Sequence, residues 1–103
     1  MSRQYSERAA EERRLIILQT VDESGQQQLN LGIVYNVLDE AGVPTTLADL
    51  RADVQFLTEQ RLIETEAIAK GVTLLKLTQL GAETSRGKRT HPGVLRADVI
   101  RRI

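Results

Sequence analysis

The chain has 103 residues, of which 41% are apolar and 3% aromatic, with 14 basic and 14 acidic side chains and no cysteine. That length suits one domain around one core, and the missing thiols exclude disulfides, thiolate metal sites and a cysteine nucleophile. The start, MSRQYSERAAEERR, is too charged for a secretory signal, and no apolar run approaches the roughly 18 residues of a membrane span, so a soluble, cytoplasmic protein is expected.

The formal charge of zero is unevenly spread. Residues 1–69 hold six Lys+Arg against twelve Asp+Glu, a net of −6; residues 70–103 hold eight against two, a net of +6. An acidic body with a basic tail points to an anionic partner for the tail, to contact between copies, or to a solvated tail without a partner.

In chain order, Ser6 is the predicted cap of a first helix over about 6–23, with Glu7, Glu11 and Glu12 near its positive end. Ala10, Arg14, Ile17, Leu18 and Val21 share one face, and Asp22-Glu23-Ser24-Gly25 supplies the stop. Gln26 to Leu29 reads as a loop or a single strand rung. Asn30 then caps a second helix whose face is Leu31, Val34, Leu38 and Ala41, with Gly42 beyond its end and Tyr35 beside the face. Pro44 keeps Val43 out of the helical region.

Thr45 or Thr46 is the predicted cap of a third helix over about 46–60. At 100° per residue, Leu47, Leu50, Val54 and Leu57 fall within an arc of about 80°, which predicts that all four are buried. Ala48, Ala52, Gln55 and Glu59 take the opposite side, with Arg51 on one edge and Asp49, Asp53 and Phe56 on the other. Beyond Arg61 the period becomes two, and Lys70-Gly71 interrupts it, so 62–78 reads as a hairpin. Thr78 caps a short fourth helix to about Arg86, weakened by Gly81. Residues 85–93 are polar, basic and rich in breakers, which makes them a linker. Leu95, Val99 and Ile103 then recur every four residues, as in a short amphipathic helix. The expected class is mainly α with a small β-hairpin: one domain over 1–86, then a basic linker and C-terminal segment over 87–103.

The segment LADLRADVQFLTEQRLIE (47–64), followed by the hairpin and by LTQLG (77–81), resembles the winged helix-turn-helix fold over about residues 10–86. Many bacterial and phage proteins of that family have a similar recognition helix, a Leu-Ile pair at the start of the wing and a Leu-Thr-x-x-Gly exit. This chain has Arg61 where those proteins usually have glycine, so its helix-to-strand turn is expected to differ. As a whole the chain is similar to small winged-helix proteins of Mu-like transposable phages and prophages, which implies a phage or prophage origin.

The resemblance implies double-stranded DNA as partner, with the third helix as recognition helix and the hairpin as wing. Thr45 and Thr46 would meet phosphate at the helix start, and Arg51 and Gln55 have the chemistry to read guanine and adenine edges. Lys70 at the hairpin tip, Lys76 on its return strand, and Arg86, Lys88 and Arg89 would hold the backbone. Asp49 and Asp53, on the edge of the exposed face, oppose this by repelling phosphates. The alternative is a protein-interaction module that keeps the fold without reading DNA; a partly exposed Phe56, joining Val72 or Leu74, would form its surface. A homodimer through the first helix, the C-terminal segment or both is expected. An enzyme is not. The only histidine, His91, lies in the linker, and no phosphate loop, metal-ligand spacing or nucleophile elbow is present. No cofactor, metal or small-molecule substrate is therefore expected.

Overall fold

The computed structural model describes residues 3–97. In order it contains α1 (Arg3–Glu23), β1 (Gln28–Asn30), α2 (Leu31–Glu40), α3 (Leu47–Glu59), β2 (Ile63–Ala69), β3 (Val72–Leu77) and α4 (Gln79–Ser85). These are four helices and one antiparallel sheet of order β1-β3-β2. No helix among the described residues is long and apolar enough to cross a membrane.

Helix α1 starts three residues before the predicted position, so Ser6 lies within the helix and does not cap it. Its buried face is Leu15, Ile17, Leu18 and Val21. The loop after it closes through Ser24, whose hydroxyl lies 2.6 Å from the Val21 carbonyl and 3.1 Å from that of Gln28. The rung at 28–30 is β1, which pairs with β3 from Gln28↔Lys76 to Asn30↔Leu74. Asn30 caps α2 by accepting from the Ile33 amide at 2.9 Å, and Val34 and Leu38 point into the core.

Thr46, not Thr45, caps α3, accepting from the Asp49 amide at 3.0 Å. Leu50, Val54 and Leu57 are buried as expected, but Leu47 is 51% exposed. Leu47 occupies the first position of the helix, where it lines an open hollow with Tyr35 and Val72 and does not enter the core. Asp53 takes the fourth buried position of α3.

Three helices end alike. After α2, Val43 N donates to Leu38 O and Gly42 N to Asp39 O; after α4, Lys88 N donates to Glu83 O and Gly87 N to Thr84 O. Both are the 6→1 and 5→2 pairs of a Schellman cap, which needs a left-handed residue, and both use glycine there, at φ +76° and +79°. Helix α3 closes the same way, through Leu62 N to Leu57 O and Arg61 N to Thr58 O. Here Arg61 takes the left-handed conformation, at φ +61°. The turn therefore keeps the glycine geometry with a residue that is strained in it.

That corner also explains the LTQLG stretch. The Thr78 hydroxyl lies 2.8 Å from Arg61 O and 2.9 Å from Leu62 O, and the same oxygen accepts from the Gly81 amide at 3.0 Å to cap α4. A Cβ on Gly81 would collide with the Leu62 carbonyl. Glycine weakens α4 as a helix, yet it is what lets α4 sit on the start of β2.

The hairpin pairs Ile63↔Leu77 through Ala67↔Thr73, with a bulge between Ala67 and Ala69 and a turn at Lys70-Gly71. Ile63 and Leu75 reach the core, while β2 from Glu64 onward is exposed. The stretch read as a linker folds back to Ala97: the Leu95 amide donates to Glu11 O at 3.2 Å, and Val94 and Ala97 are buried with the core. Breaker residues here make tight turns against α1. The amphipathic pattern through Val99 and Ile103 lies outside the described residues.

Two substitutions test this account. Arg61→Gly should raise stability by about 0.5–1 kcal/mol, because relief of left-handed strain exceeds the added chain entropy of glycine. Gly81→Ala should lower it by about 2–3 kcal/mol through overpacking against backbone that cannot move. Both are read from urea midpoints at unchanged slope.

Candidate functional site

The rotation of α3 about its axis decides which side chains reach solvent. Asp53 controls it. Its carboxylate is 1% exposed and receives Arg13 Nε at 2.7 Å and Arg14 Nε at 3.1 Å from α1. Arg14 also donates from Nη1 to the Gly93 carbonyl at 3.0 Å, and its guanidinium lies 4.0 Å from the Phe56 ring centroid. The other side of this cluster is His91, edge-on to Phe56 at 5.9 Å, with Nε2 3.1 Å from Gln60 Oε1. Phe56 is therefore taken up by α1 and the C-terminal segment and joins neither Val72 nor Leu74. His91, expected to be solvated, is half-buried in the same cluster.

This corrects the expectation for Asp53: it faces α1, is neutralised there, and repels nothing on the exposed side. The missed signal was Arg14. A cation within the apolar stripe of α1 requires a buried anion, since an unpaired charge there is costly. Asp49 is also turned away, lining a depression of about 370 Å³ with Tyr5, Glu12, Arg13 and Pro44.

What α3 shows to solvent, beyond Leu47 at its start, is Ala48, Arg51, Ala52, Gln55 and Glu59. On a helical wheel these five span about 100°. The stripe carries one cation and one anion, and Gln55 Nε2 donates to Glu59 Oε2 at 3.2 Å. Arg51 forms no ion pair among the described residues. It stands in a groove between α3 and the hairpin, where a hollow of about 380 Å³ is walled by Gln55, Thr58, Thr65 and Thr73 over Leu31 and Val54. The groove continues past Arg51 along Leu47, Tyr35, Gly71 and Val72, beside the hairpin turn that carries Lys70.

The remaining predicted phosphate contacts divide by charge state. The Thr45 hydroxyl donates to the Val43 carbonyl at 2.9 Å, while Thr46 is the α3 cap. Lys76 Nζ lies 2.6 Å from Glu66 Oε1 across the hairpin, and that bond pushes the ammonium above its ordinary pKa. Arg86 grips Asp22 with two bonds, at 3.0 and 2.7 Å, and Arg89 reaches Glu83 at 3.1 Å. Lys70 and Lys88 are exposed and form no ion pair among the described residues. Of the predicted contacts the structure places Arg51 and Gln55 on one groove, with Lys70 on the adjoining hairpin turn and Thr46 at the start of α3. It holds Arg86 and Arg89 elsewhere, against α1 and α4, where acids of the protein already neutralise them. Every buried side-chain nitrogen and oxygen among the described residues has a partner.

Comparisons with protein families, with curated proteins and with solved structures find no match for this chain.

Asp22 and Glu83 give the ion pairs a pH signature. The Arg86 hydrogen bonds hold the Asp22 carboxyl below its ordinary 3.8, outweighing the opposing effect of burial, and Arg89 lowers Glu83 in the same way. A depressed carboxyl stabilises the fold above its unfolded pKa and loses that contribution as pH falls through the folded one. Asp22→Asn should therefore lower stability at pH 7, and the difference from the parent should shrink as pH falls below 3.8. Asp53→Ala should cost about 3 kcal/mol in urea unfolding, since it strands two arginines in a largely desolvated site.

Proposed function

We propose that the chain is a winged helix-turn-helix DNA-binding protein, a transcriptional regulator of phage or prophage origin acting in the bacterial cytoplasm. In this reading α3 is the recognition helix, β2–β3 is the wing, and the chain acts as a homodimer through α1, the C-terminal segment or both. The observation that carries it is the composition of the exposed α3 stripe. Both aspartates that made the helix look unsuited to DNA are turned toward α1, which leaves Arg51 and Gln55 on a surface bounded by the hairpin. The element order α1-β1-α2-α3-β2-β3 and the sheet order β1-β3-β2 support the same reading. A helix in this setting lies in the major groove, where side chains meet base edges and the hairpin tip meets phosphate.

A second reading, a protein-interaction module without DNA, is favoured by one observation. Lys76, Arg86 and Arg89 are neutralised internally, while Ile33 and Leu47 are 45% and 51% exposed. The two readings separate in binding to random and genomic duplex DNA across a salt series. A regulator selects a motif. With Arg51, Lys70 and Lys88 as the predicted DNA contacts that form no ion pair among the described residues, the slope of log K against log salt should be shallow, about −2 to −3. Arg51→Ala should relax the motif at one position by about 1–3 kcal/mol, and Lys70→Ala should weaken all sequences alike. No retention of any duplex at low salt overturns the DNA reading and leaves the interaction module.

A further inference from the structure

The exposed stripe of α3 is polarised along its length. Its first half carries a donor, Arg51, without an ion-pair partner among the described residues. Its second half carries a carboxylate, Glu59, to which the Gln55 amide donates one of its two hydrogens. That bond sets the two side chains side by side and leaves the Gln55 carbonyl oxygen, its second N–H and the second Glu59 oxygen without a partner among the described residues. Ala48 and Ala52 between them add no bulk, so nothing on the stripe keeps these groups from a flat surface.

A carboxylate at the end of a helix meant for DNA would ordinarily be read as a fault, since it faces phosphates. Its position argues otherwise. Glu59 is in line with Arg51 and Gln55 at four-residue spacing, on the stripe that would meet base edges. In the major groove guanine offers only acceptors, which suit Arg51, and cytosine offers only the N4 amino donor, which suits a carboxylate.

We propose that Glu59, positioned by Gln55, is a specificity-determining residue that accepts from a cytosine N4 amino group. This inference rests on the DNA-binding reading and deepens it by naming the bases. Eight residues of helix separate Arg51 from Glu59, about 12 Å, which spans about three to four base-pair steps of 3.4 Å. The selected site therefore holds a guanine read by Arg51 and, three or four pairs away, a cytosine read by Glu59.

The test is motif selection from a random duplex library with the full chain and with its Arg51→Ala, Glu59→Ala and Glu59→Gln variants. Glu59 is exposed, so its variants keep the fold, which thermal unfolding verifies. The expected result is a motif in which Glu59→Ala loses about tenfold preference for cytosine at one position, three or four pairs from the position relaxed by Arg51→Ala. Glu59→Gln shifts that position toward adenine, whose edge pairs with an amide. Replacing the cytosine by pyrimidin-2-one, which lacks the 4-amino group, should weaken the parent protein by the same factor and leave Glu59→Ala unaffected. If Glu59→Ala keeps the motif and binds all sequences more tightly, Glu59 only repels phosphate and the proposal is overturned. If the parent selects no duplex at all, the DNA-binding reading fails with it, an outcome distinct from a motif indifferent to Glu59.

Discussion

Arg13 and Arg14, adjacent on α1, converge on the buried carboxylate of Asp53. Removing Asp53 strands two cations in a site that water barely reaches, and removing either arginine loses a charge-assisted bond, so α1 and α3 have one relative rotation in which all are satisfied. Arg14 extends the constraint by taking the Gly93 carbonyl and covering the Phe56 ring, which fixes the returning C-terminal segment to the same point. Apolar packing alone tolerates some rolling of α3 over the core. The ion pair does not, because a change of a few ångströms breaks charge-assisted bonds of 2.7 and 3.1 Å.

The position of the hairpin depends on a second fixed point, the corner between α3 and β2. Arg61 completes the Schellman cap, and Thr78 bonds the carbonyls on either side of the bend while capping α4. Gly81 then allows α4 to lie against Leu62. A single threonine oxygen thus couples the end of α3, the start of β2 and the start of α4, so the groove between α3 and the hairpin has defined walls. The bulge near Ala69 and the exposed β2 beyond Ile63 leave the far end of the hairpin free of such constraints.

The unequal charges of the two halves are partly resolved inside the molecule. Arg86 from the basic half meets Asp22 from the acidic half, and Lys76 meets Glu66. The cations that remain without ion pairs at the groove, Arg51 and Lys70, are few. Under the proposed function they supply selection and modest affinity, and they do not form a broad basic field.

Much of the architecture was legible in the sequence because its signals are local. Asn30, Thr46 and Thr78 announce caps within three residues of the amides they serve; the periods of 3.6 and 2 mark α1–α3 and the hairpin; Lys70-Gly71 marks the turn. The start of α1, the exposure of Leu47 and the fold-back of residues 87–97 were not legible, since each depends on what lies alongside in space. The candidate site divides in the same way. Residue type named Arg51 and Gln55 as groups able to read bases, and named Lys76, Arg86 and Arg89 as cations. Only the tertiary structure decided that the last three are already paired and that Asp53 belongs to the interior. A side chain's charge is a property of the sequence, but whether that charge faces solvent depends on partners the fold brings together across as many as 64 positions of chain, as when Asp22 meets Arg86.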